Sequence, residues 1–326
     1  MRVVVFGGTG FVGLNLAQTL AAAGHAVVVF DRNPPPAAFT AEPAGAAGAI
    51  EAVTADIRDR DAVDAALAGA DAAVYGATIT SGPEREADDP RSVLEVNLMG
   101  WLGVLEAAHR HGVARLVNLS SSTAYGAAAF GPGPLDEGAT APDPTSLYGI
   151  TKFAGERVGQ RLHELWALDV VSVRLSSVFG PWERGTGVRD TLSPPFQVMR
   201  AALAGTPVRL EREDARDWIY APDVARAVAA ILAAETLPHR LYNLTPGRVW
   251  SVADWARHLA THHFPGLEVT IDPARATVAS HMPQARQPLA GERLRALLDV
   301  DSLFDLAGSA DHYAAWAKAH GGVLTG

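Results

Sequence analysis

The stretch "VVVFGGTGFVG", residues 3–13, decides the fold. Its first four residues are apolar and mostly β-branched, too few for a helix and closed by glycine, so they read as a buried strand. Beyond the turn, Val12, Leu16 and Leu20 fall at helical spacing, and Gly24 is a natural helix stop. A strand that feeds a glycine turn and then a helix is a cradle for a dinucleotide pyrophosphate. Glycine lets the backbone approach the phosphates, whose charge sits on the helix N-terminus. Gly7, Gly10, Phe11, Val12 and Gly13 are therefore expected at the cofactor. The supporting acid is Asp31, 18 residues after Gly13, at the end of a second strand, "HAVVVFD". A carboxylate there accepts hydrogen bonds from the adenosine ribose and repels a 2′-phosphate. Arg32 beside it is able to receive such a phosphate, but Asp31 makes NAD the expected cofactor.

Outward from this turn the chain alternates. "AIEAVTAD", "DAAVYGA", "ARLVNLSS" and "DVVSVRLS" read as four further buried strands, and helical segments separate them, one from about 90 to 111 and one from 145 to 166. Six strands alternating with helices predict an α/β fold, a doubly wound parallel sheet of Rossmann type. After Gly180-Pro181 the rhythm breaks, and the rest reads as a second, smaller mixed α/β substrate domain. The expected division is an NAD-binding domain over 1–180, to which 217–245 returns, and a substrate-binding domain over 181–326.

Composition narrows the classes. With 326 residues, 48% of them apolar and 19% charged, the chain can bury a sizeable core. A formal charge of −9 argues against nucleic acid as a partner. The absence of cysteine excludes disulfides, thiolate nucleophiles and cysteine-ligated zinc. Met1 and Arg2 run straight into the first strand, leaving no room for a signal peptide, and no apolar run approaches the roughly 18 residues of a spanning helix. A cytoplasmic protein without a membrane partner is expected.

In a doubly wound sheet, chemistry belongs at the C-terminal ends of the strands. The fifth strand ends in Ser120, Ser121 and Ser122. The next helix carries "YGITK", which puts Tyr148 and Lys152 one turn apart on one face. A cation beside a phenol favours the phenolate, which turns tyrosine into a general base. Serine, tyrosine and lysine can then meet at a nicotinamide: serine holds a substrate oxygen, Tyr148 exchanges the proton, and Lys152 tunes Tyr148 and binds the nicotinamide ribose.

These motifs resemble those of extended short-chain dehydrogenases/reductases of the NAD-dependent epimerase/dehydratase family. "GGTGFVG", "LSSSTAYG", "YGITK", "RLSSVFGPW", "ARDWIYAPDVARAV" and "LYNLTPG" carry the likeness across nearly the whole chain. The resemblance implies Ser121 as the catalytic serine, with Ser122 as the fallback and otherwise at the substrate, and Tyr148 and Lys152 as the proton-transfer and ribose residues. It also implies Asp56 and Ile57 at the adenine, Arg216 at a substrate diphosphate, and a homodimer built on the helices at about 90–111 and 145–166. Leu94, Leu98, Leu102 and Leu105 fit an apolar stripe, either outward at that contact or on the side facing the sheet.

Three departures shape the reading. No carboxylate follows Ser122 in "STA", which argues against dehydratase and decarboxylase chemistry. Ser177 stands three residues after Arg174, where nucleotide-sugar epimerases often have asparagine. Tyr75-Gly76 replaces the family's common His-Leu-Ala-Ala and is expected to alter the pocket wall. The expected function is an NAD-dependent nucleotide-sugar epimerase. The alternatives are an NAD-dependent dehydrogenase of a smaller polyhydroxy or hydroxy-acid substrate and, against an intact serine–tyrosine–lysine set, a non-catalytic NAD(P)-binding sensor. No metal site is expected, since His262-His263 reads as an exposed helix end. Trp182 reads as packing, and Arg184, Arg189 and Arg209 as solvated surface.

Overall fold

The computed structural model describes residues 1–41, 48–187, 192–280 and 284–325. Seven parallel strands form the central sheet. Their spatial order is Leu241–Leu244, Val170–Leu175, Arg115–Ser121, Ala72–Tyr75, Arg2–Phe6, Ala26–Asp31 and Ile50–Thr54. The chain moves outward from Arg2–Phe6 in one direction for three strands, then returns to its other side. Val5 thus pairs with Val29 on one flank and with Val74 on the other. That reversal is the topological switch point, where a doubly wound sheet opens a crevice at its carboxyl edge.

Both faces of the sheet are covered, which is why its strands are continuously apolar instead of alternating. Val3, Val5, Val27, Val29, Val171 and Val173 point into one core, closed by helices Phe11–Ala22 and Ala221–Ala233. Val4, Phe6, Val28, Phe30, Tyr75 and Leu116 point into the other, beneath helices Arg60–Leu67 and Gly100–His111. The period of two along each strand divides them. A third core gathers Phe179, Phe196, Trp218, Trp250, Trp255 and Tyr313 from the later part of the chain.

Three local features differ from expectation. The helix expected from about 90 to 111 carries a π-helical turn, Glu95–Met99, between Pro90–Leu94 and Gly100–His111. Tyr75 does not line a pocket. Its ring packs against Phe6 and Trp101, and its hydroxyl donates to the Val96 carbonyl within that π turn. A wider turn leaves a carbonyl to be satisfied by a neighbour, and Tyr75 supplies the donor. Of the four leucines that an outward stripe requires, Leu105 instead faces the second core and is fully buried. Trp182 is also fully buried, as packing required, with its indole N–H donating to Gln18 at 2.9 Å.

Candidate active site

The glycine turn sits at the carboxyl end of the first strand. Gly7 has φ +76°, a conformation that favours glycine. A Cβ on Gly7 would lie 2.6 Å from the Ala77 nitrogen, and one on Gly13 would lie 2.3 Å from the Gly7 carbonyl oxygen. These two glycines serve the packing of the turn itself. Gly10 differs: its added Cβ would meet only the Gly7 oxygen, at 3.1 Å. Gly10 is the N-cap of helix Phe11–Ala22, and no side chain caps that end. An open glycine face before an uncapped helix start fits a pyrophosphate, with Phe11, Val12 and Gly13 contributing the first helical amides.

Asp31 ends the second strand half-buried, and its Oδ1 accepts the Asn33 amide at 3.2 Å. Arg32 is exposed. Arg184 reaches the same place from the later part of the chain, donating to the Thr9 carbonyl at 2.7 Å. Burial lowers its pKa, and the nearby negative charge of Asp31 opposes this. Its Nη1 is buried without a hydrogen-bond partner among the described residues. Arg189 lies outside the described residues. The Asp56 carboxylate is taken by Arg58, at 2.9 and 2.8 Å, and these bonds hold it below the usual carboxylate range. Ile57 is buried in the second core.

Lys152 is buried, 5% exposed, and donates from Nζ to the Leu119 carbonyl at 2.8 Å. The same ammonium lies 5.6 Å from the centre of the Tyr148 ring. Burial pushes its pKa down to about 8, against the opposing charge of Glu156. Glu156 is buried too, paired with Arg174 at 2.6 and 2.9 Å and accepting from Ser120 at 2.5 Å. Such a pair is held by its hydrogen bonds; removing one member would leave a buried charge uncompensated, at about 3–5 kcal/mol. Ser120 therefore belongs to this structural network, whereas Ser121 ends the strand half-buried and accepts the Thr123 amide at 3.2 Å. An accepting hydroxyl keeps its own proton for a second partner. Ser122 is buried.

The helix Leu147–Trp166 is fixed at its start by Ser146, whose Oγ accepts the Gly149 amide at 3.1 Å. Asn97, in the π turn, accepts from the Ile79 amide at 2.7 Å and donates to Thr151 at 3.1 Å. It joins the fourth strand's exit to the helix turn between Tyr148 and Lys152.

Three arginines gather around Ser280, Ser176 and the Asp214–Asp217 segment. Arg216 is 2% exposed; it pairs with Asp214 at 2.7 Å and donates to Ser280 at 3.1 Å. Its Nη1 is buried with no partner among the described residues. Burial pushes its pKa down, Asp214 opposes this, and the positive charges of Arg286 and Arg212 add to the lowering. Arg286 pairs with buried Asp217 at 2.9 Å and donates to Ser176 at 2.8 Å; Arg212 donates to Ser280 at 2.8 Å. The buried Arg216 Nη1 is left as a guanidinium N–H donor that suits an anion. Ser177 is half-buried on the short strand Ser177–Phe179, and its register partner is Trp218.

Residues missed in the sequence are those that arrive from elsewhere. Glu86 accepts the Tyr148 amide at 3.3 Å and Ser81 Oγ at 3.0 Å, across 62 residues of chain in the first case. Arg286 lies in "ARQP", which carries no local signal. Arg184 was assigned to surface solvation, and only the fold brings it to Thr9.

The model of the NAD dependent epimerase/dehydratase family matches residues 3–245. The dTDP-L-rhamnose 4-epimerase of Burkholderia thailandensis is 28% identical over 295 residues, covering 80% of this chain and 81% of that protein. The dTDP-glucose 4,6-dehydratase of Streptomyces niveus is 31% identical over 239 residues, covering 71% and 69%. The crystal structure of Thermus thermophilus UDP-glucose 4-epimerase complexed with NAD superposes with a TM-score of 0.75 at 26% identity, over 96% of this chain and 99% of that one. With a glycine turn that fits a dinucleotide, the chain belongs to the NAD-dependent epimerase/dehydratase family of extended short-chain dehydrogenases/reductases.

Proposed function

We propose that this enzyme is a nucleotide-sugar epimerase whose catalytic residues are Ser121, Tyr148 and Lys152. The observation that carries the reading is the placement of Lys152. It is buried, bonded to Leu119 two residues before Ser121, and within 5.6 Å of the Tyr148 ring centre. NAD, when bound, supplies a hydride acceptor and donor at the substrate carbinol. Gly7, Gly10, Phe11, Val12, Gly13 and Asp31 hold it, with Arg32, Asp56 and Ile57 at the adenosine end.

The chain's own part is proton transfer and orientation. Ser121 holds the substrate oxygen by donating its hydroxyl proton. Tyr148 takes the carbinol proton and later returns it. The charge of the buried Lys152 stabilises the phenolate, and burial makes that interaction stronger than in solution. Arg216 and Arg286 grip the diphosphate of the substrate, and Ser122 and Ser177 contact the sugar. Dehydration is disfavoured because "STA" after Ser121 offers no second acid. The half-buried Ser177, in place of an asparagine, favours a second reading, an NAD-dependent dehydrogenase of a smaller substrate.

Residues 1–180, with 217–245, form the NAD-binding domain in this proposal, and the remainder of 181–326 binds the substrate. Two copies associate through the helices flanking the sheet, where Leu94, Met99, Ile150 and Leu165 are exposed. Among the described residues no helix is long and apolar enough to cross a membrane. A panel of nucleotide sugars, free sugars and hydroxy acids separates the readings. The epimerase converts nucleotide sugars without net NADH, and the dehydrogenase accumulates NADH on a smaller substrate.

A further inference from the structure

We propose that His258, His263 and Asp311 bind one divalent transition-metal ion of the Zn²⁺ class, clipping helix Val252–His262 to helix Leu306–Ala319. The three side chains lie in the third core's outer shell, on elements that take no part in the catalytic set. His258 Nε2 and His263 Nε2 both approach Asp311 Oδ1, at 2.8 and 2.6 Å. One ligand atom from each residue lies within 4.8 Å of the other two. Tetrahedral zinc bonds nitrogen and oxygen at about 2.0–2.2 Å, which sets neighbouring donors about 3.4 Å apart. The two nitrogen–oxygen spacings therefore need to open by less than about 1 Å for an ion to replace the hydrogen-bonding protons.

The donor set also fits. Two neutral imidazoles and one carboxylate suit zinc-class ions and leave a fourth position to water. Magnesium, which prefers oxygen ligands in an octahedron, is a poor match. The donors are braced. The His258 ring packs on His262 at 4.4 Å between centres, and Lys318 donates to the His263 carbonyl at 3.2 Å. Beneath them Trp255 donates to Ser309 at 3.3 Å, so the two helices already meet where the ion would join them. The histidine pair that the sequence presents, His262-His263, is the wrong pair. The partners of His263 are His258 and, 48 residues away, Asp311.

The test uses the full chain, purified without a polyhistidine tag and stripped of metal. Zn²⁺ is titrated in competition with a chromophoric chelator. One ion per chain is expected, with micromolar or tighter Kd, a melting temperature that rises with Zn²⁺, and no response to Mg²⁺. His263→Gln and Asp311→Asn should each weaken binding at least about tenfold, while His239→Gln leaves it unchanged. Co²⁺ provides a second readout, through visible ligand-field bands that both variants lose. Circular dichroism verifies that each variant is folded. Absence of saturable Zn²⁺ binding, or binding that survives in both variants, would overturn the proposal and leave Asp311 as a carboxylate bridging two imidazoles.

Discussion

Lys152 donates to the carbonyl oxygen of Leu119 at 2.8 Å, which fixes the ammonium against the strand that delivers Ser121. The bond ties together two elements that the sequence keeps 33 residues apart. It holds the charge where burial makes it costly, beside a phenol that benefits from it.

Removing the phenol should cut the proton path alone. Tyr148→Phe is expected to lower kcat by about 10²–10⁴-fold, the range for one positioned acid–base group, with NAD affinity nearly unchanged. Lys152→Ala should damage both, because the same ammonium serves the ribose in the proposed site. Steady-state kinetics and a cofactor titration by fluorescence read the two effects separately. Near wild-type turnover by Tyr148→Phe would refute the assignment.

The pH dependence follows from the same lysine. Burial lowers its pKa to about 8, so the ammonium is present below that pH and lost above it. Activity should fall on the alkaline side with an apparent pKa near 8 in kcat/KM. The unfolded chain keeps the proton up to about 10.4, so this group's contribution to stability rises with pH across that window. Alkaline loss of activity should therefore appear without unfolding, as circular dichroism at pH 9 can check. Constant activity between pH 7 and 10 would contradict the placement.

The glycines of the turn should separate into two kinds. Gly13→Ala presses a methyl group onto the Gly7 carbonyl, so it should destabilise the fold by about 1–3 kcal/mol in urea unfolding. Gly10→Ala meets a single oxygen at 3.1 Å and should fold almost normally. It should nonetheless weaken NAD binding by about tenfold or more, since one charge-assisted backbone contact is worth about 1.5–3 kcal/mol. Unchanged NAD affinity in a folded Gly10→Ala would show that the open face of Gly10 is not a ligand surface.

Arg216→Lys tests the anion site. Lysine keeps the charge but loses the planar fork that binds two phosphate oxygens at once. With a nucleotide sugar as substrate, KM should rise about tenfold or more, with a smaller change in kcat. An unchanged KM would separate Arg216 from substrate binding.

Much of the sheet, the glycine turn and the Tyr148–Lys152 proximity was legible because each signal is local. A glycine turn, an acid at a strand end and a Tyr–Lys pair one helical turn apart are all short-range patterns. Tyr75 was misread because its partner, the Val96 carbonyl, exists only where the helix widens into a π turn. Leu105 was ambiguous for a related reason: an apolar stripe says that a face is covered but not by what, and here the sheet covers it. Glu86, Arg184 and Arg286 carry no periodicity and no motif. They meet Tyr148, Thr9 and Asp217 through the fold, so their roles depend on how distant segments pack. The same holds for Asp311: His263 reads with His262 as a helix end until the next helix brings Asp311 to it and to His258.

The central claim is tested most directly by proton NMR of the products formed from UDP- and dTDP-linked sugars by the NAD-loaded enzyme. The account predicts inversion at one ring carbon of at least one of them, approached as an equilibrium from either epimer, with no accumulation of NADH and with product from Tyr148→Phe formed about 10²–10⁴-fold more slowly. Turnover confined to free sugars or small hydroxy acids, with stoichiometric NADH, would contradict it.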